Sequence, residues 1–349
     1  MFTEKISTKD SKINNDKYDY YIAIDWSQRN MAIATLRNEG NKAKITDIES
    51  NVDDLKAYFK SLRGTKIVTI EETTSTHWLY VELFEYVEKI LVCDPYRNKL
   101  LSDGPKTDKL DAENLCKLLR SGLLKEVYHS LDKKYELRQL VSEYEQLVKF
   151  GVRVKNEKSA IYRSMGKSYK KKEELGDDTL GWIISQKDQR IELYETQKAE
   201  YEKMFAEKIK QDKDLKHLKG VNGIGVIGAV KILSTVIDAK RFKNEGKYLS
   251  YCGLVKHQKM SGGRSYGQKK TRYSRRLKSV YRIAANAVIN GNSPMKEYYD
   301  SLLQRGISGE NARNQLSRRI AIITYGILKT GTQYKPYKWR ESKQVGNES

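Results

Sequence analysis

The chain has 349 residues, enough for two or three domains with cores of their own. Its 66 Lys and Arg stand against 45 Asp and Glu, a formal net charge of +21. That balance argues against a routine enzyme of small molecules and for a polyanionic partner. No stretch approaches the ~18 apolar residues of a membrane span and no basic signal pattern opens the chain, so nucleic acid is favoured over a membrane, and the expected location is the cytoplasm. Cys93, Cys116 and Cys252 are far apart and share no zinc-ligand spacing with the four histidines, as expected of a reducing compartment without structural zinc.

Residues 1–17 are polar and charged and read as a disordered leader. Tyr20 to Asp25 then reads as a buried strand ending in a carboxylate, Met31 to Leu36 as its hairpin partner, and Ile45 to Ile48 as a weaker third strand. Val52 to Leu62 has helical spacing that Gly64 ends, and Lys66 to Ile70 is a strand running into Glu71 and Glu72. Trp78 to Lys89 is an amphipathic helix, Ile90 to Cys93 a further strand, and Asp111 to Arg120 a helix opening from Lys106-Thr-Asp-Lys-Leu-Asp111. The order predicts a mixed α/β domain over residues 18–130.

Asp108 and Asp111 are three residues apart, so a helix places both carboxylates on one face within reach of a shared cation. The same pair makes an acidic capping pattern, with Asp108 as N-cap; capping and metal binding use different carboxylate oxygens and stay compatible. A carboxylate ending the first strand, Asp25, another ending the fourth, Glu71, and a pair on the last helix form an order that resembles the ribonuclease H-like fold. In that fold such groups converge on two divalent cations. Hard Mg²⁺ takes oxygen ligands, and two ions roughly 4 Å apart hold both the attacking and leaving oxygens of a phosphodiester.

Residues 131–215 are long-patterned, charged and helical. Leu137, Leu140, Tyr144, Leu147, Gly151 and Val154 step by threes and fours as a heptad seam, weakest at Gly151, and Trp182 to Ile209 returns antiparallel as the second arm of a coiled coil. Its exposed seam reads as a dimer contact, an RNA-facing arm, or ordinary two-helix packing. A mainly helical domain follows over residues 216–330, with 331–349 as a tail. Gly220, Gly223 and Gly225 before the apolar helix Val226–Val236 resemble a helix-hairpin-helix turn, which offers backbone N–H groups to a phosphate. Tyr248 to Cys252 begins a short helix stopped at Gly253, and Ile320 to Leu328 reads as core.

Between Lys256 and Arg282 ten Lys and Arg occur with no acid. Lys256, Lys259, Arg264, Lys269, Lys270, Arg272, Arg275 and Arg276, with Gly223 and Gly225, are the candidate nucleic-acid contacts. Within this run Ser261 precedes Gly262 and Gly263, where missing side chains let a backbone approach closely. Flanking cations suit stabilisation of a serine alkoxide and a phosphoryl transition state; a plain solvated loop is the alternative, and His257 is the nearest candidate base.

Taken together, Ala23-Ile-Asp25, Glu71, Lys106-Thr-Asp-Lys-Leu-Asp-Ala112, Gly223-Ile-Gly225, Arg241-Phe242, Tyr251-Cys-Gly-Leu-Val255 and Ser261-Gly-Gly263 resemble the DEDD transposases of the insertion-sequence "one-ten" family, relatives of the Piv-type invertases. The resemblance covers roughly residues 18–330. It implies a RuvC-like domain joined through a coiled coil to a C-terminal transposase domain, with Mg²⁺ held by Asp25, Glu71, Asp108 and Asp111. It further implies Ser261 as a nucleophile forming a phosphoserine link to DNA. Donor and target DNA, a bridge RNA that specifies both, and homodimers pairing into tetramers with composite sites are the implied partners. Two positions depart from the family pattern. Glu71-Glu-Thr-Thr74 replaces Glu-Ala-Thr-Gly, so Glu72 competes with Glu71 as ligand, and Asn222 stands where proline often precedes the turn. A water-using RuvC-like Holliday-junction nuclease and a non-catalytic nucleic-acid-binding protein are the alternative readings.

Overall fold

The computed structural model describes residues 18–95, 108–131, 134–169, 179–269 and 272–336, the side chains of residues 108, 109, 257, 268 and 269 excepted. The chain divides into two compact units, one ending at Leu131 and the other beginning at Asp132. The first unit holds β1 (Tyr20–Trp26), β2 (Asn30–Arg37), β3 (Lys44–Glu49), α1 (Val52–Ser61), β4 (Lys66–Glu71), α2 (Thr76–Leu83), β5 (Lys89–Cys93) and α3 (Asp108–Arg120). Its sheet runs β3-β2-β1-β4-β5, with β1–β2 and β2–β3 antiparallel and β1–β4 and β4–β5 parallel.

The central strands are apolar at nearly every position because the sheet is covered on both sides. Tyr21, Ala23, Ile67, Leu91 and Cys93 pack on one face with Ala112, Leu115, Cys116 and Leu119 of α3. Ile22, Ile24, Val68, Ile70 and Ile90 pack on the other with Leu55 and Phe59 of α1 and Leu79 and Leu83 of α2. Two elements differ from the sequence reading. The helix expected to reach Lys89 ends at Leu83 and passes through a short 3₁₀ turn, Phe84–Tyr86. There the sheet takes the chain over: the Glu88 amide donates to the Lys66 carbonyl at 3.1 Å, and the Glu88 carboxylate accepts from the Lys66 amide. Conversely, the helix expected from Asp111 already begins at Asp108.

The second unit begins with α4 (Tyr135–Ser164) and α5 (Thr179–Gln211), packed antiparallel. Leu137, Val141, Tyr144, Gly151, Val154 and Tyr162 of α4 are buried, as are Ile184, Tyr194, Phe205 and Ile209 of α5, while Trp182 is 64 % exposed. The Tyr144 hydroxyl donates to Glu202 at 2.8 Å, and ion pairs Lys155–Glu195, Lys158–Asp188 and Lys187–Glu157 lace the two helices together.

Gly151 corrects the sequence reading. It is not a weak point but the socket for an aromatic ring, since a Cβ built there would lie 2.5 Å from three ring carbons of Tyr194. Gly151→Ala is therefore expected to lower the free energy of unfolding by about 2 kcal/mol through overpacking. Urea denaturation of the variant against the native chain measures it, and Gly326→Ala, at a helical glycine with nothing within 4 Å of a Cβ among the described residues, separates steric conflict from loss of glycine as such.

Helices α6 (Lys213–Lys219), α7 (Val226–Val236), α8 (Glu245–Tyr251), α9 (Arg275–Asn290), α10 (Pro294–Gln304) and α11 (Gly309–Thr330) follow, with β6 (His257–Ser261) and β7 (Arg264–Lys269) between α8 and α9. One core joins Val230, Leu233, Tyr248, Leu277, Tyr281, Leu316, Ile320 and Tyr325 to the base of α4 and α5. Within it hydroxyls link in a row, Tyr248 to Tyr281 to Thr324 Oγ1, the last step 2.7 Å. Among the described residues no helix is long and apolar enough to cross a membrane.

Candidate active site

Three carboxylates belong to one face and one end of the first unit. Ile24 pairs with Ile70 in the parallel β1–β4 register, so Asp25 and Glu71 are the next residues of neighbouring strands. Side chains alternate along a strand, and Tyr21, Ala23 and Ile67 point toward α3; Asp25 and Glu71 therefore point to the same side. Helix α3 runs against β1 in the opposite sense. The Cys116 thiol donates to the Tyr21 carbonyl at 3.1 Å, and at the helix end Arg120 donates to the carbonyls of Gly40 and Asn38, beside the start of β1. From Cys116 back to Asp108 a helix rises about 12 Å, and from Tyr21 forward to Asp25 a strand rises about 13 Å. The opening turn of α3 thus lies level with Asp25 and Glu71.

Asp25, Glu71 and Asp111 are each half-buried, whereas Glu72, the first residue past the end of β4, is exposed. Burial separates the two glutamates: Glu71 is the last residue of β4 on the face that α3 covers, and Glu72 follows it in the open. The side chain of Asp108, at the first position of α3, lies outside the described residues, as do residues 96–107 before it. Thr69 was not singled out from the sequence. It precedes Glu71 on the same face, is fully buried, and its hydroxyl has no hydrogen-bond partner among the described residues. A polar β-branched residue two before a strand-end carboxylate, inside an apolar run, is the signal that marks it.

Among the described residues no three His, Cys, Asp or Glu gather closely enough to hold a metal ion. The donor chemistry nevertheless fits a hard divalent cation: these are carboxylate oxygens at one sheet edge, beneath which Thr69 leaves a hydroxyl unsatisfied. The thiol on α3 is unsuited to such an ion: Cys116 is buried, which pushes its thiol up to about 12.

Ser261 belongs to the second unit. It is the last residue of β6 and pairs with Arg264, so Gly262 and Gly263 alone make the hairpin turn. Both have positive φ, 54° and 76°, the conformation of a two-residue turn that glycine adopts without strain. Among the described residues nothing lies within 4 Å of a Cβ at either glycine, and the exposed Ser261 stands at the shoulder of this open turn. Lys256, Lys259 and Arg264 are exposed and make no ion pair among the described residues, and Arg272 and Arg275 are exposed nearby in sequence. The side chains of His257 and Lys269, and the whole of Lys270, lie outside the described residues.

The expected nucleic-acid contacts Gly223, Gly225 and Arg276 have different settings. Gly223, at a φ of 84°, faces inward: a Cβ there would lie 2.3 Å from the Ala284 carbonyl oxygen, so this glycine permits the turn to pack on α9. Gly225 lies on the open side, with nothing within 4 Å of a Cβ, ahead of α7, whose N-terminus has no side-chain cap. Asn222, in place of a rigid proline, is held by the Tyr334 hydroxyl, which donates to its Oδ1 at 3.0 Å.

Arg276 is committed within the protein. Its Nε and Nη2 donate to Glu145 Oε2 at 2.9 and 2.7 Å, and Lys231 approaches Glu145 Oε1 at 3.0 Å, so one carboxylate ties α4 to α7 and α9. Burial by itself would raise the Glu145 pKa, but the hydrogen bonds from Arg276 and Lys231 outweigh it and hold the carboxyl below the ordinary 4.5. A carboxyl depressed on folding contributes stability that is present above its unfolded pKa and lost as pH falls through its folded one. Glu145→Gln is thus expected to cost about 2 kcal/mol at neutral pH. In urea denaturation the gap to the native chain should narrow once the pH falls below 4.5.

A mixed sheet covered by helices, followed by a mainly helical unit, fits the class of DEDD-type transposases. The DEDD transposase model of the IS110 group matches residues 22–164, and the model of the IS116/IS110/IS902 transposase family matches residues 215–300. The chain belongs to the IS110 family of transposases. It is similar to an uncharacterised protein of insertion element IS110 from Streptomyces coelicolor, 31 % identical over 119 residues. That alignment covers 34 % of this chain and 29 % of the relative. A probable family 20 transposase of Pseudomonas aeruginosa is 22 % identical over 291 residues, 77 % of this chain and 86 % of the relative. An uncharacterised protein of insertion element IS116 from Streptomyces clavuligerus is 23 % identical over 120 residues, 34 % of this chain and 30 % of the relative. The chain therefore spans less than a third of the IS110 and IS116 proteins it matches.

Proposed function

We propose that the protein is a DNA recombinase that excises and inserts a mobile element through a covalent phosphoserine link, with Asp25, Glu71, Asp108 and Asp111 as ligands for Mg²⁺. The observation that carries the nucleophile is Ser261 itself, exposed beside a two-glycine turn on a ribbon whose charges are all positive. In the proposed step a bond forms between Ser261 Oγ and phosphorus as the phosphorus bond to one sugar oxygen breaks. The serine proton passes to a base, and the leaving sugar oxygen takes up a proton. One ester is exchanged for another, so the strand can be rejoined by the reverse step without an external energy source. Lys259 and Arg264 neutralise the phosphate and the charge gathering on its oxygens. Bound Mg²⁺ would supply electrostatic stabilisation of the phosphoryl oxygens.

The DEDD-type carboxylates favour a second reading, a nuclease in which water attacks and Ser261 is dispensable. A denaturing gel of protein incubated with element-end DNA separates the two: a DNA-linked band that disappears in Ser261→Ala supports the recombinase, while cutting without any such band supports the nuclease. Guidance by a bridge RNA and assembly of dimers into tetramers extend the proposal. The net charge of +21 is consistent with more than one nucleic-acid partner. Sequencing RNA that copurifies with the protein from its host tests the guide; recovery of no defined RNA argues against it.

A further inference from the structure

The ribbon that carries Ser261 is irregular at one place. Lys259 opposes Gly267 and Met260 opposes Ser265, so Tyr266 is an extra residue in β7, a bulge. In a bulge two residues of the longer strand oppose one of the shorter, and Tyr266 is the extra residue between the Lys259–Gly267 and Met260–Ser265 pairs. Lys259 and Ser261 are two apart and share a face. The Lys259 ammonium lies 5.9 Å from the Tyr266 ring centroid, as that placement requires. Tyr266 therefore faces the same side as Ser261 and Arg264, about two strand residues or ~7 Å along the ribbon. It is 65 % exposed and belongs to no buried cluster, so no packing role accounts for the ring or for the bulge that presents it.

We propose that Tyr266 is a positioning residue that stacks on an unpaired base of the attacked DNA strand, next to the phosphate that Ser261 engages. Arg264 and Lys259 stay with the phosphate that Ser261 engages, and the ring takes the neighbouring base, which must be out of the duplex stack to offer its face. A ring already flanked by a cation suits this use, since stacking and charge then act on the same nucleotide. The site would recognise a locally melted strand rather than intact duplex. The inference rests on the reading of Ser261 as nucleophile for its place beside the chemistry.

The test uses the full chain with Ser261→Ala, which binds without reacting, and a single-stranded oligothymidylate carrying one 2-aminopurine, whose fluorescence falls on stacking. Adding Tyr266→Ala is expected to abolish the quenching and weaken single-strand binding about tenfold, with Tyr266→Phe restoring both. Binding of the corresponding duplex should change less than about twofold, because phosphate contacts remain. Equal weakening on both DNAs, rescue by Tyr266→Leu, or preference for an oligouridylate would overturn the inference. Phosphoserine formation is read separately on the chain with native Ser261, so failure of the nucleophile reading leaves the stacking result interpretable.

Discussion

On the proposed phosphoserine mechanism, Ser261→Ala is expected to abolish the protein–DNA adduct and to reduce recombination by on the order of 10⁴-fold or more, because no other group would replace an attacking oxygen that becomes part of the intermediate. The substitution removes one exposed hydroxyl and leaves the Gly262–Gly263 turn intact, so thermal denaturation should be unchanged. DNA binding should also persist, because Lys256, Lys259 and Arg264 supply charge independently of the serine. Element excision measured with gel detection of the adduct decides the matter; normal strand cutting by Ser261→Ala would sink the covalent mechanism.

Asp25→Asn and Glu71→Gln are each expected to lower strand cleavage by on the order of 10³-fold, since a neutral amide is a poor ligand for a hard cation. Glu72→Gln should remain within about twofold, as for an exposed surface side chain. This contrast follows from burial: Glu71 ends β4 half-buried on the α3 face, and Glu72, past the end of the strand, is exposed. Calorimetric titration with Mg²⁺ or Mn²⁺ supplies a second readout, in which Asp25→Asn and Glu71→Gln lose binding and Glu72→Gln retains it. Loss of activity in Glu72→Gln alone would reassign the ligand.

Most of the first unit could be read in advance because its signals are local. A run such as Ile22, Ala23, Ile24 buried on both faces cannot be mistaken for an exposed segment, and Gly64 marks where the chain turns before β4. The positions of Asp25 and Glu71 at the ends of predicted strands were legible for the same reason, whereas the β6–β7 ribbon that carries Ser261 was not: its polar, basic residues give no apolar alternation, and Ser261-Gly262-Gly263 reads locally only as a loop. Where a nonlocal bond competes with local propensity, the local reading stops early or late. The pairing of Glu88 with Lys66 ends α2 at Leu83 although helical spacing continues to Lys89.

Composition, charge and the order of strands, helices and carboxylates therefore follow from the chain of residues, because each depends on neighbours a few positions away. What only folding decides is which distant groups meet. Glu71 is distinguished from Glu72 by the helix that covers one side of β4; Gly151 is a socket because Tyr194 arrives from the opposite helix. Arg276 is occupied because Glu145 faces it across 131 positions of sequence. Such pairings depend on packing between elements, where a few ångströms of approach turn an apparent defect into a contact and an apparent phosphate ligand into a structural clamp.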